Sequence, residues 1–303
     1  MSCVLVTGAT GFVGRSAIAA LRLRGHEVHG VARTATDDIE VHAWHTANLL
    51  DPSAVSRLVR DANASHMLHL AWTTKHSWFW SDPANLAWAR ATCGLAEAFA
   101  EAGGIRAVMT GSCAQYDWGV EAIGASGLAC ETVTPRRPAT LYGHAKQATT
   151  DLLEAWSTEA EMSYATALLF FPYGPYEKPE RLVPSVTRSL LAGEAALVSA
   201  GTQIRDFIHV DDCGAALAAL VDSEITGAVN IGSGQGSSVA DVANTIARII
   251  GREDLLRIGA LPSSDEGSKV VASTTRLCNE VGLAPRYDLE TGLRDTIEWW
   301  RRR

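Results

Sequence analysis

The segment Val4-Leu5-Val6-Thr7-Gly8-Ala9-Thr10-Gly11-Phe12-Val13-Gly14 constrains the fold more than any other part of the chain. An apolar β-type run enters a turn with three glycines, and a run of helical periodicity leaves it. Without Cβ atoms, such a turn lets backbone amides approach a pyrophosphate, which then rests on the N-terminus of the following helix. The third glycine lets that helix pack close to the strand. A second β-type run at 27–32 follows at the remove a βαβ unit requires. Gly8, Thr10, Gly11, Phe12, Val13 and Gly14 are therefore expected to hold a dinucleotide.

The alternation continues. Residues 41–46, 65–71, 106–111 and 164–170 read as strands. Residues 12–24, 53–61 (with Pro52 in the first turn), 83–102 and 142–160 read as helices. This order implies right-handed crossovers and a parallel sheet. The pattern loosens after Phe171. Residues 171–180 hold three prolines and a glycine and read as a loop. Residues 207–210 and 228–231 read as strands, with helices at 211–221, 239–250 and 291–300. The expected class is α/β: a doubly wound parallel sheet in residues 1–170 and a smaller C-terminal α/β domain in 171–303 that binds substrate. Part of 205–250 is expected to return to the sheet.

Composition narrows the functions. The 303 residues are 47% apolar, which suits a packed core and excludes disorder. A net charge of −8 argues against a nucleic-acid groove or an anionic membrane patch. A few placed cations can still hold a small anion. No run reaches the length of a membrane helix. Cys3, Cys93, Cys113, Cys130, Cys213 and Cys278 show no paired spacing. That fits reduced thiols in the cytoplasm better than a disulfide frame or a zinc site. His42, His45, His66 and His69 fall in no metal-ligand spacing and read as structural, so no metal is expected.

The end of the second strand selects the dinucleotide. An acid there binds the ribose 2′-hydroxyl of NAD, whereas an arginine accommodates the 2′-phosphate of NADP. The strand ends Val31-Ala32-Arg33-Thr34, and the first acids are Asp37 and Asp38. Arg33 and Thr34 thus favour NADP over NAD.

Tyr142 and Lys146, four apart on a helix, share a face. An ammonium beside a phenol is expected to lower its pKa from about 10. The tyrosine then exchanges a proton with a substrate hydroxyl or carbonyl near neutral pH. Ser112 follows the fifth strand at the C-terminal edge of the sheet, where open α/β folds place ligands. Its neighbour Cys113 reads as a packed thiol rather than a nucleophile.

Six motifs together resemble one family. They are T-G-A-T-G-F-V-G at 7–14, Gly111-Ser112 before Tyr116, Tyr142-Gly-His-Ala-Lys146, Tyr173-Gly174-Pro175, Arg205-Asp206-Phe207-Ile208-His209-Val210-Asp211-Asp212 and Asn230-Ile231-Gly232. The chain resembles the extended short-chain dehydrogenases/reductases, in particular their nucleotide-sugar epimerase/dehydratase/ketoreductase branch, which have a Rossmann-type sheet. The resemblance implies that Ser112, Tyr142 and Lys146 form the catalytic triad, with Lys146 also holding the nicotinamide ribose. It implies that Arg205 grips the diphosphate of a nucleoside-diphosphate sugar, which suits a bidentate guanidinium. His209 and Asp211 would position that arginine. Asn48 stands where the family usually has an aspartate near the adenine. The expected cofactor set further takes in Leu49, Leu70, Ala71, Tyr142, Lys146, Phe170 and Pro172. The expected substrate set is Trp72, Ser112, Cys113, Phe171 and Arg205.

Three departures bear on the reaction. Ser112 is followed by Cys113-Ala114, where the family's dehydratases carry an Asp-Glu pair, so 4,6-dehydration is disfavoured. Phe171 replaces the asparagine often found two residues before the Y-G-P tyrosine. In 261–274 the only cation is Lys269, so the usual late arginine has no match. The expected activity is NADPH-dependent reduction of a keto group, foremost on an NDP-4-keto-6-deoxyhexose, with Tyr142 as proton donor. The alternatives are a nucleotide-sugar epimerase with bound NAD, a ketoreductase of a non-sugar natural product, and a non-catalytic dinucleotide sensor. The retained Tyr–Lys pair disfavours the sensor. The non-sugar reading draws on Trp72, Trp78, Trp80, Trp88 and Trp118, five of the nine tryptophans, which fall between the fourth strand and the loop past Ser112. By family analogy, the helices near 85–102 and 142–160 form a homodimer face.

Overall fold

The computed structural model describes residues 2–73, 78–119, 127–262 and 269–303. Seven strands make one parallel sheet: β1 (Cys3–Thr7), β2 (Glu27–Ala32), β3 (Ala43–Thr46), β4 (His66–His69), β5 (Arg106–Ser112), β6 (Ser163–Leu169) and β10 (Gly227–Ile231). Their order is β10-β6-β5-β4-β1-β2-β3. This is the Rossmann-type arrangement expected from the strand–helix alternation.

Side-chain alternation along the strands loads both faces. Val4, Val6, Leu68 and Val108 pack on α1 (Phe12–Leu23) and α6 (Val210–Asp222). Leu5, Met67, Ala107 and Met109 pack on α2 (Pro52–Ala62), α3 (Ala84–Glu101) and α4 (Leu141–Glu159). Local signals fix the helix ends. Asp51 accepts from Ser53 N ahead of Pro52, and Thr140 accepts from Gly143 N. Asn63 takes the left-handed conformation after α2.

A smaller sheet is centred on β9 (Ile204–His209). On it lie β11 (Gly236–Ser238), antiparallel, and β13 (Lys269–Val270) and β7 (Phe171–Tyr173), both parallel. Separately, β8 (Ala196–Val198) pairs with β12 (Leu256–Ile258). Helices α5 (Leu182–Leu191), α7 (Val239–Ile250) and α9 (Leu289–Arg301) share a core that includes Val186, Leu190, Val242, Ile246, Leu293 and Ile297. A short α8 (Thr275–Asn279) follows β13.

The structure corrects the reading of 171–180 as a loop, because its first three residues form β7. Pro172 is tolerated there because β7 pairs only with β9 among the described residues, so the missing N–H faces no second strand. Helix α5 escaped notice because Pro184 stands in its first turn. The two- and three-residue strands are too short to carry a periodic signal. Residues 205–250 divide: α6 and β10 join the large sheet, while β9 and α7 do not. Among the described residues, no helix is long and apolar enough to cross a membrane.

Candidate active site

All strands of the large sheet are parallel, so their C-terminal ends share one edge. The chain order reverses between β1 and β4, the place where such sheets bind ligands. The glycine turn lies there. Gly8 has φ +67°, and a Cβ on it would meet Ala71 N at 2.9 Å and the Leu70 carbonyl carbon at 3.0 Å. A Cβ on Gly14 would stand 2.2 Å from Gly8 O, so the helix can approach the strand only without a side chain. Gly11 N donates to Gly8 O at 2.9 Å, and Gly11 leads into α1. Thr7 Oγ1 accepts from Leu70 N and Ala71 N at 3.2 and 3.3 Å, which ties the turn to the end of β4. The turn is a cradle that side chains would fill, and it fits a dinucleotide pyrophosphate.

Around the turn stand the other residues expected to bind cofactor. Arg33 and Thr34 are exposed just past β2. Asn48 and Leu49 follow β3; Asn48 Oδ1 accepts from Leu50 N, and Leu49 is buried. Phe170 is buried beyond β6, with its amide on Ile231 O, and Pro172 lies in β7.

Ser112 ends β5, and its hydroxyl accepts from Ala114 N at 3.2 Å. Tyr142 sits in the first turn of α4, with its amide on Trp80 O at 3.0 Å. Lys146, one turn on, is buried. Its Nζ donates to Thr110 O at 2.6 Å and lies 3.9 Å from the centre of the Trp72 ring. Ser112, Tyr142 and Lys146 thus stand at one edge of the sheet, but the electrostatics differ from expectation. Burial dominates and pushes the Tyr142 phenol up to about 12, against the neighbouring Ser112 hydroxyl and the Arg181 charge, which lower it. Lys146 is not among the charges acting on the phenol. Its own ammonium is desolvated and pushed down to about 7. The expected lowering fails because Lys146, itself desolvated, loses its charge well below the pH at which the buried phenol titrates.

The tryptophan-rich stretch forms one wall. Phe79 and Trp80 stand edge-on to Tyr142, at 5.0 and 5.7 Å between ring centres. Trp80 meets Trp118 at 6.2 Å, Trp118 meets Phe171 at 6.3 Å, and Phe171 meets Phe207 at 6.2 Å. The Arg205 guanidinium lies 5.3 Å from the Trp118 ring and 5.6 Å from that of Phe171. Tyr142 and Arg205 are thus joined by a continuous aromatic surface. Cys113 is buried beside them, and burial pushes its thiol up to about 12, far from a thiolate.

The Arg205 motif works differently from expectation. Asp206, fully buried, accepts from Ser233 N, Ser233 Oγ, Gly234 N and Ala272 N, which fixes the neighbours of β9. His209 caps α6 through Asp211 N and approaches Asp295 of α9 at 3.3 Å. Asp211 accepts from Ser16 Oγ of α1. His209 and Asp211 therefore anchor α6 rather than hold Arg205. Tyr116 and Asn230 are also structural: the phenol donates to Asn230 Oδ1 at 2.8 Å. His69 bridges Thr7 and Thr92, and burial holds it neutral, with its pKa pushed down to about 3. Of the segment lacking the late arginine, 263–268 lie outside the described residues.

Sequence reasoning missed Thr110, Glu177 and Arg181. Glu177 is buried, its carboxylate 3.9 Å from Arg181 Nε, and burial raises it from the ordinary 4.5 to about 8. A carboxyl that keeps its proton in the fold but loses it in the unfolded chain favours the fold at low pH, and that contribution fades as pH rises through 8. Thermal unfolding of wild type should therefore fall relative to Glu177→Gln between pH 5 and 9, by up to about a few kcal/mol. A pH-independent difference between the two would reject this.

A dinucleotide cradle in a doubly wound sheet, with Ser112, Tyr142 and Lys146 at its ligand-binding edge, fits the extended short-chain dehydrogenase/reductase class. The model of the NAD dependent epimerase/dehydratase family matches residues 4–232, and the chain belongs to that family. The dTDP-glucose 4,6-dehydratase of Mycolicibacterium smegmatis is 32% identical over 173 residues, 55% of this chain and 52% of that protein. An Escherichia coli dTDP-glucose 4,6-dehydratase is 29% identical over 178 residues, 55% of this chain and 49% of that one. The chain thus spans about half the length of the curated relatives it matches. Among solved structures, MoeE5 in complex with UDP-glucuronic acid and NAD is 30% identical, with a TM-score of 0.84 and 99% of both chains covered. The UDP-glucose 4-epimerase of Thermotoga maritima, with UDP-glucose, shares the fold at a TM-score of 0.87 and 23% identity over 99% of both chains.

Proposed function

We propose that the protein is an NADPH-dependent ketoreductase of nucleoside-diphosphate keto sugars, foremost an NDP-4-keto-6-deoxyhexose. The observation that supports this reading is that Ser112 at the end of β5 and Tyr142 and Lys146 on α4 stand at the ligand-binding edge of the sheet, with the Tyr142 phenol packed edge-on to Phe79 and Trp80 and pushed up by burial, so that it keeps its proton. A protonated phenol serves carbonyl reduction as the acid. The Ser112 hydroxyl polarises the carbonyl oxygen, and Tyr142 delivers its proton there as the carbonyl carbon is reduced. Lys146, held by Thr110 O and the Trp72 ring, would meet the nicotinamide ribose. When bound, the dinucleotide supplies the hydride. Dehydration is disfavoured by Cys113 and Ala114 after Ser112, a thiol held protonated and a methyl group, although the curated relatives are dehydratases. Arg205 and the aromatic wall would take the diphosphate and the base. The MoeE5 complexes, with UDP-glucose or UDP-glucuronic acid, support this substrate class. The exposed Leu86 of α3 and Leu152 of α4 suit the homodimer face suggested by family analogy, within a cytoplasmic enzyme.

A second reading, a nucleotide-sugar epimerase that retains NAD, is favoured by the NAD in those same complexes. An NDP-4-keto-6-deoxyhexose with NADPH separates the two. The reductase oxidises one NADPH per product, whereas the epimerase interconverts UDP-glucose with its 4-epimer at zero net change. In the same assay, Arg205→Ala should lower kcat/KM for the diphosphate substrate by roughly 10- to 100-fold, the loss of a charge-assisted phosphate contact. An unchanged value would move the substrate class away from diphosphates.

A further inference from the structure

The absence of metal-ligand spacing in the sequence does not describe what strand pairing brings together. Cys3 opens β1 and Glu27 opens β2, and the register places them side by side. His29, two residues along β2, shares their face of the sheet. One donor atom each from Cys3, Glu27 and His29 lie within 4.8 Å of one another. The imidazole is already oriented: its Nε2 is 3.1 Å from Glu27 Oε1, and its Nδ1 is 3.1 Å from His45 Nε2 of β3. The ring of His45 in turn feels the Asp61 charge at the end of α2. A thiol, an imidazole and a carboxylate on rigid strands, with the second imidazole nitrogen held, are the donor set and outer support of a zinc-type site. Cys3 and His29 are half-buried and Glu27 is exposed, so a fourth position opens to solvent.

We propose that Cys3 Sγ, Glu27 and His29 Nε2 bind one divalent transition-metal ion of the zinc class, with His45 as the outer partner of His29. Cys3 binds as the thiolate, and its proton passes to solvent. The site lies at the N-terminal edge of the parallel sheet, opposite the edge that carries the glycine turn and Tyr142, so it acts on the fold rather than on the reaction.

Cobalt(II) titrated into the metal-stripped protein tests this. One equivalent should raise a thiolate-to-cobalt absorption band. Cys3→Ser should abolish the band, while Cys278→Ser should retain it. His45→Ala should weaken cobalt binding by about 10- to 100-fold. Glu27→Gln, at an exposed side chain, should weaken it about tenfold, and it answers the question even if Cys3→Ser does not fold. Dinucleotide binding in each variant reports that the fold is intact. A missing band, a band that survives Cys3→Ser, or unchanged affinity in Glu27→Gln overturns the proposal.

Discussion

Tyr142→Phe is expected to cut turnover by roughly 10²- to 10⁴-fold while dinucleotide affinity stays at the wild-type value. The ring itself is a packing element, edge-on to Phe79 and Trp80 at interplanar angles of 88° and 87°. Phenylalanine keeps those contacts and removes only the hydroxyl. The cost in stability is therefore about 1 kcal/mol or less. Nothing in the glycine cradle changes, since Gly8, Gly11 and Gly14 form it through backbone alone. Single-turnover rates and dinucleotide titration separate the two effects. Undiminished turnover refutes Tyr142 as the acid.

The same residues show how far sequence reading reaches. The glycine turn and the strand–helix alternation were legible because both are local: a Cβ is missing where backbone must approach backbone, and periodicity changes from strand to helix. Ser112, Tyr142 and Lys146 were legible because the fold carries the end of β5 and the start of α4 to the same edge. The state of the phenol was not. It depends on burial against Phe79 and Trp80 and on Lys146 being itself desolvated. These come from segments tens of residues away in sequence. Glu177 and Arg181 lie in a proline-rich stretch without a periodic pattern, and only the folded chain shows Arg181 beside Tyr142 and Phe79 and Glu177 buried against Arg181. The pairing of Cys3 with Glu27 is likewise a matter of strand register.

The second large effect concerns the dinucleotide. Arg33→Ala should lower kcat/KM for NADPH by roughly 10- to 100-fold and leave that for NADH unchanged, because a charge-assisted contact to phosphate contributes about 1.5–3 kcal/mol. The structure supports Arg33 by showing what the nearby acids do. Ala32 ends β2 with a methyl group where a carboxylate would accept from the 2′-hydroxyl of NAD. Asp38 is already engaged: Arg15 donates to it at 2.7 and 3.3 Å, Thr36 also bonds it, and both hold its carboxyl below the usual range. Arg15 is in turn stacked 4.4 Å from the Tyr176 ring. An acid so occupied is a poor ribose ligand, which leaves an exposed guanidinium as the group at the end of β2. Ala32→Asp with Arg33→Ala should then invert the preference toward NADH. Equal use of NADPH and NADH by the wild type would reject Arg33 as the selector and return weight to the NAD seen in MoeE5. The outcome also bears on the reaction, since an epimerase regenerates its dinucleotide in every cycle, whereas a net reductase must draw NADPH from solution.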